Sequence, residues 1–155
     1  MGATDSPGMT AAPARIVVER IGTGGPVELP RRATDGSACF DLRAAATVRL
    51  ERGRVDLVPT GLRMTAPPGT FIEVRPRSGL STRGVLLVNA PGTIDRDYAG
   101  EVKVPLTYLF DGVYEVRAGD RIAQIRLVMD HPAAFEEAVV VAVPSRTGGF
   151  GSTGR

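Results

Sequence analysis

From Arg15 onward, apolar and polar residues alternate in short runs, each stopped by Gly or Pro. Residues 15–19 (Arg-Ile-Val-Val-Glu), 47–51 (Thr-Val-Arg-Leu-Glu) and 54–58 (Arg-Val-Asp-Leu-Val) open the series, and 70–75, 101–104, 113–116, 121–127 and 138–143 continue it. A period of two sends successive side chains to opposite faces, so each run predicts a strand with one buried face. The Gly and Pro between them are turn residues that end pairing. Many short strands with no sustained helical period predict an all-β sandwich or jelly roll. The one helical turn expected is at residues 79–82, with Ser78 as its N-cap.

The two ends break the pattern. Residues 1–14, rich in Gly, Ala, Thr, Ser and Pro, have no apolar period and are expected to be a flexible lead-in. Residues 145–155, Ser-Arg-Thr-Gly-Gly-Phe-Gly-Ser-Thr-Gly-Arg, are too glycine-rich to pack on themselves and are expected to form a flexible arm. Residues 15–144 remain as one domain, as a chain of 155 residues allows.

Composition narrows the chemistry. The hydrophobic fraction of 43% is enough for a core, but aromatics make up 5% and Trp is absent, so the core must be built of Val, Leu, Ile and Ala. The formal charge of +2 comes from scattered arginines rather than a basic block, which argues against a nucleic-acid surface and leaves a small anion as a ligand. One cysteine and one histidine exclude an internal disulfide and an ordinary zinc site, so any metal is a hard ion held through oxygen. Cys39 has no basic partner nearby in sequence, and His131 before Pro132 is expected in a surface turn, so neither supports Cys/His catalysis. No apolar stretch approaches the ~20 residues of a membrane span, and the start lacks a leader's basic and apolar regions. A cytoplasmic protein without membrane contact is the expectation.

Five constellations carry candidate chemistry. The tail reads either as a linker or as an arm closing on a nucleotide. In the second reading its glycines free backbone N–H groups for phosphate, Ser152 and Thr153 add hydroxyls, Arg146 and Arg155 add charge, and Phe150 offers a stacking face. Pro76-Arg77-Ser78-Gly79-Leu80-Ser81 joins a strand end to a helical turn, an anion site or a plain turn. Residues 89–101, Asn-Ala-Pro-Gly-Thr-Ile-Asp-Arg-Asp-Tyr-Ala-Gly-Glu, look like a hairpin with acids at its tip. There Asp95 follows Ile94 in what reads as strand, where Asp is disfavoured, so it is either turn chemistry or a water-activating base. Gly36-Ser37-Ala38-Cys39-Phe40-Asp41-Leu42 sets Asp41 between apolar neighbours, and Gly119-Asp120-Arg121-Ile122-Ala123-Gln124 enters a strand with Gln124 as the unexpected polar residue.

Taken in order, these five segments resemble the five motifs of trimeric dUTPases, over a stretch from about Arg15 to the C-terminus. The resemblance implies a homotrimer of distorted jelly rolls of the β-clip type, with active sites at subunit junctions. It implies hydrolysis of dUTP to dUMP and pyrophosphate with Mg²⁺, limiting uracil in DNA and supplying dUMP for dTMP synthesis. By the same resemblance Asp95 activates the water that attacks the α-phosphorus, and Asp41 positions the metal through water. Arg77, Ser78, Gly79 and Gln124 bind phosphates. Asn89, Thr93, Val102 and Lys103 belong to the uracil-reading segment, and Tyr98 packs on the deoxyribose. Phe150 stacks on the base while Arg146, Gly151 and Ser152 close over the phosphates.

Two places depart from the family pattern. The family usually sets an Arg five residues before the stacking Phe, whereas Arg146 stands four before Phe150, and Pro91-Gly92-Thr93 replaces a Gly-Val type sequence. Two rivals remain: a dCTP deaminase, which needs a carboxylate at the base amine, and a non-catalytic trimeric module that keeps the nucleotide pocket.

Overall fold

A computed structural model describes residues 13–22 and 27–139. The candidate residues Arg146, Phe150, Gly151 and Ser152, nearly all of the lead-in and most of the 138–143 run lie outside the described residues. The described chain is all β apart from one short helix. Eleven strands are formed: β1 Val17–Arg20, β2 Phe40–Arg43, β3 Val48–Glu51, β4 Asp56–Pro59, β5 Leu62–Thr65, β6 Thr70–Arg75, β7 Val85–Leu87, β8 Gly92–Ile94, β9 Lys103–Tyr108, β10 Val113–Val116 and β11 Arg121–Met129. The helix α1 spans Ser78–Ser81.

Every strand pair is antiparallel. A four-stranded sheet runs β2-β11-β6-β8, a three-stranded sheet β4-β9-β7, and two ribbons pair β1 with β5 and β10 with β3. Their inner faces close on Leu42, Leu50, Val58, Leu62, Met64, Ile72, Val104, Leu106, Val116, Ile122 and Ile125, all essentially without solvent contact. Burial of such a side chain stabilises by roughly 1.5–3 kcal/mol, so the aliphatic set supplies the cohesion that aromatics give elsewhere. Among the described residues no helix is long and apolar enough to cross a membrane.

Several expectations need correction. The helical turn begins one residue early: Ser78 is its first residue, and Arg77 in extended backbone takes the N-cap place without a side-chain cap bond. The run at 101–104 starts as a strand only at Lys103 and continues to Tyr108, and the run at 54–58 pairs over Asp56–Pro59. Residues 138 and 139 are exposed and outside any strand. Residues 89–101 are not a two-strand hairpin: β8 pairs with β6 and β9 with β4 and β7, so the segment crosses between two sheets. The burial of Ile94 opposite Ile72 decides this, because it fixes β8 to the four-stranded sheet.

One corner ties the crossing segment down. Thr60, buried, donates its hydroxyl to Val102 O at 2.6 Å and accepts from Leu62 N at 3.3 Å. Val102 N donates to Leu62 O at 2.8 Å, and Gly61 N to Glu101 Oε1 at 2.9 Å. Gly61 holds φ +65° there, and a Cβ would lie 2.7 Å from Val27 Cγ2, so only glycine fits the corner.

Candidate active site

The crossing segment builds one wall of a cleft of about 180 Å³. Asn89, Thr93, Asp95, Tyr98, Glu101 and Lys103 supply its polar groups over an apolar floor of Val74, Ile94 and Val102. Asp95 stands just past the end of β8 rather than within a strand, and its carbonyl accepts from Tyr98 N at 3.1 Å, closing a turn. The Asp95 side chain is therefore presented to solvent at the cleft edge, by a turn whose start is anchored through buried Ile94.

Tyr98 is latched. Its hydroxyl donates to Glu101 O at 3.0 Å and its ring lies over Gly100, where a Cβ would come within 2.7 Å of Cζ. Glu101 faces two ways, accepting from Gly61 N and standing 3.6 Å from Lys103 Nζ through Oε2. Gly92 is tight too: a Cβ there would lie 3.1 Å from Asn89 Nδ2, so the glycine leaves space for the amide at the cleft.

Asp41, Arg77 and Gln124 gather elsewhere, on the four-stranded sheet and the turn leaving it. Asp41 on β2 is 7% exposed and faces Gln124 on β11 in register. Arg77 Nε donates to its Oδ1 at 3.1 Å, Arg121 Nη1 to Oδ2 at 3.2 Å and Gln124 Nε2 to Oδ1 at 3.3 Å. A carboxylate this buried needs such partners, since an unpaired charge there costs several kcal/mol. Arg77 Nη1 also donates to Arg121 O at 2.9 Å, which steers the guanidinium to the β11 end. Ser78 and Gly79 are exposed at the start of α1, beside this patch.

The two sets do not meet within one chain. β2 and β8 are the outer strands of their sheet with two strands between them, about 14 Å at ~4.8 Å per step. Gln124 lies opposite Arg75, whereas Ile94 lies opposite Ile72, so Asp95 is offset along the strands by about four residues, roughly 13 Å. Asp41 and Asp95 are thus on the order of 20 Å apart. Sequence reasoning missed Arg121 as the second cation on Asp41, and Glu101 as a cleft residue. The Gly119–Gln124 segment held the signal for Arg121, an arginine at a strand entry three residues before the polar Gln124.

Comparison with known proteins places this geometry in context. Residues 25–154 match the family model for dUTPase. A deoxyuridine 5'-triphosphate nucleotidohydrolase of Anaeromyxobacter sp. (strain Fw109-5) is 51% identical over 148 residues, covering 92% of this chain and 99% of the relative. One from Neorickettsia sennetsu (strain ATCC VR-367 / Miyayama) is 42% identical, covering 84% and 91%. Among solved structures, a Staphylococcus bacteriophage 80alpha dUTPase mutant with dUpNHpp superposes at TM-score 0.77 with 21% identity, covering 90% of this chain and 98% of that one. A mutant dUTPase from phage phi11 of S. aureus, described with a structural Mg(II) ion, gives 0.74 with 18% identity, covering 82% and 98%. At those identities the structural likeness speaks for the fold.

Proposed function

The chain belongs to the dUTPase family, and from that premise we propose that it hydrolyses dUTP to dUMP and pyrophosphate by water attack on the α-phosphorus. The observation that carries this reading is the exposed Asp95 carboxylate at the edge of a cleft that the latched Tyr98 also lines. Asp95 accepts a proton from a water as the new O–P bond forms, and the bond from the α-phosphorus to the bridging oxygen breaks, releasing pyrophosphate. Asn89, Thr93 and the backbone running into Val102 and Lys103 read the uracil edge. Tyr98 lies against the deoxyribose and leaves no space for a 2′-hydroxyl.

Arg77, Ser78, Gly79 and Gln124 take the phosphates, Arg146, Gly151 and Ser152 join them from the closing arm at 145–155, and Phe150 stacks on the base. Both oxygens of Asp41 already accept hydrogen bonds, and among the described residues no three His, Cys, Asp or Glu side chains converge on one point. Such a donor set fits an ion carried by phosphate oxygens and waters, the habit of Mg²⁺, with Asp41 reaching it through water. When bound, the ion offsets phosphate charge and so eases departure of the leaving group.

The ~20 Å between Asp41 and Asp95 is too far for one chain to address a single triphosphate with both. This supports a homotrimer of distorted jelly rolls in which neighbouring chains complete each site. Residues 131–139 are all exposed, with Phe135 and Val139 almost fully so, apolar surface that a neighbour would cover. In the cell this activity keeps uracil out of DNA and feeds dTMP synthesis, and we place it in the cytoplasm. The decisive assay is pyrophosphate release from dUTP, dCTP, dTTP and UTP, with Mg²⁺ and with chelator. Metal-dependent release from dUTP alone is expected; conversion of dCTP to a uracil product, or silence on all four, overturns the reading.

A further inference from the structure

A second cleft, between α1 and the segment joining β10 to β11, shares only Arg77 with the residues given a role above. It measures about 190 Å³ and its lining includes Arg77, Arg83, Arg121, Tyr114 and Asp120. Three arginines converge on it against two carboxylates. Asp41 engages Arg77 and Arg121 from the sheet side, and Asp120 is occupied in accepting Arg117 N at 2.8 Å. Arg83 makes no ion pair among the described residues. Like charges brought together at a rim repel, and that cost falls when an anion bridges them.

The backbone that carries the exposed Arg83 side chain is fixed. Its N–H donates to Leu80 O at 2.9 Å and Gly84 N to Ser81 O at 3.0 Å, closing the turn after α1. Gly84 holds φ +82° beneath the Phe110 ring, where a Cβ would meet Cε2 at 2.6 Å, and Leu109 N donates to Gly84 O at 2.9 Å. Opposite, Tyr114 is half-buried on β10, and its hydroxyl makes no hydrogen bond among the described residues. The cleft thus combines a rigidly based free cation, a spare hydroxyl donor and a second arginine, and it shares Arg77 with the phosphate patch.

We propose that this cleft is a second anion subsite that takes a pyrophosphate group, with Arg83 as its main donor and Arg121 and Tyr114 in support. Its size suits a phosphate or pyrophosphate anion, and its arginines and the Tyr114 hydroxyl are donors for one. That the pyrophosphate is the one released from dUTP rests on the proposed hydrolysis; the anion site itself does not. The subsite lets the leaving group step aside along Arg77, and inorganic pyrophosphate competes there.

The test is calorimetric titration of inorganic pyrophosphate, and separately of an α,β-imido analogue of dUTP, into the full chain and its Arg83→Ala, Tyr114→Phe and Arg117→Ala variants. Pyrophosphate affinity is expected to fall about tenfold or more in Arg83→Ala, less in Tyr114→Phe, and to hold in Arg117→Ala, whose side chain lies outside the cleft. Weakening of pyrophosphate alone assigns the cleft to the free product, and weakening of the analogue as well assigns it to the phosphates of bound nucleotide; both support the subsite. Equal pyrophosphate affinity in wild type and Arg83→Ala, or none in wild type, overturns it. Because binding is read without turnover, a wild type inert toward dUTP sinks the hydrolase reading and leaves this one standing.

Discussion

Replacing Gly100 with Ala tests how the sugar is read while leaving in place every side chain proposed to contact substrate. The added Cβ would lie 2.5 Å from Tyr98 Oη, 2.7 Å from Cζ and 3.2 Å from Cε2, where ordinary contacts begin near 3.4 Å. The ring must retreat by roughly 1 Å, because the dispersion well turns steeply repulsive at such separations. Tyr98 is 46% exposed, so it moves toward solvent and the fold loses little, about 1 kcal/mol or less. The move breaks the 3.0 Å bond from its hydroxyl to Glu101 O, an interaction worth about 0.5–1.5 kcal/mol that holds the ring in place. A ring set back by about 1 Å no longer excludes a 2′-hydroxyl, so the preference for dUTP over UTP should fall by about 10- to 100-fold. The measurement is kcat/KM for both nucleotides, beside a thermal melt. Tyr98→Phe, which keeps the ring on Gly100 and removes only the hydroxyl bond, should fall between wild type and Gly100→Ala. Unchanged discrimination in Gly100→Ala with a normal melt would refute the latch.

Other outcomes follow from the same geometry. Asp95→Asn should keep the fold and nucleotide binding while hydrolysis drops about 100-fold or more, measured by single-turnover pyrophosphate release; near-normal turnover would sink the general-base role. Removing residues 145–155 should suppress dUTP turnover with the melting temperature almost unmoved, and a loss of stability like that of a core deletion would show the tail to be structural. Thr60→Val keeps the side-chain volume but strips Val102 O of its 2.6 Å donor in a buried corner, a loss of about 1–3 kcal/mol that should lower the melting temperature by several degrees. A melt matching wild type would mean the hydroxyl is not what holds the crossing segment.

The runs at 70–75 and 113–116 take as β6 and β10 the bounds their sequence pattern predicts, whereas β5, which alternates cleanly between core and solvent, is only four residues long and does not stand out among the turns. β7 stands apart from the alternating runs because Val85-Leu86-Leu87-Val88 is a continuous apolar run without alternation. The hairpin reading of 89–101 failed for a different reason: local pattern cannot tell a strand that pairs with its successor from one that leaves for another sheet, and here the pairing of Ile94 with Ile72 decided it. A hydroxyl makes Ser78 the expected cap, but the chain stays extended only through Arg77, whose side chain is drawn to Asp41. Of the candidate site, Asp41, Arg77 and Gln124 were visible as residue types, whereas their convergence arises from strand register and had no local signal.

The way Asp41 occupies its neighbours bears on life among competing anions. A cell is full of ATP, inorganic phosphate and nucleic acid, and a bare cluster of guanidinium groups would attract all of them. Here Arg77 and Arg121 each give one N–H to an internal carboxylate, at 3.1 and 3.2 Å, so an arriving polyphosphate meets a positive field already partly neutralised. That resident competitor sets a threshold: charge alone does not cross it, and a ligand must bring further contacts from its base and sugar to stay.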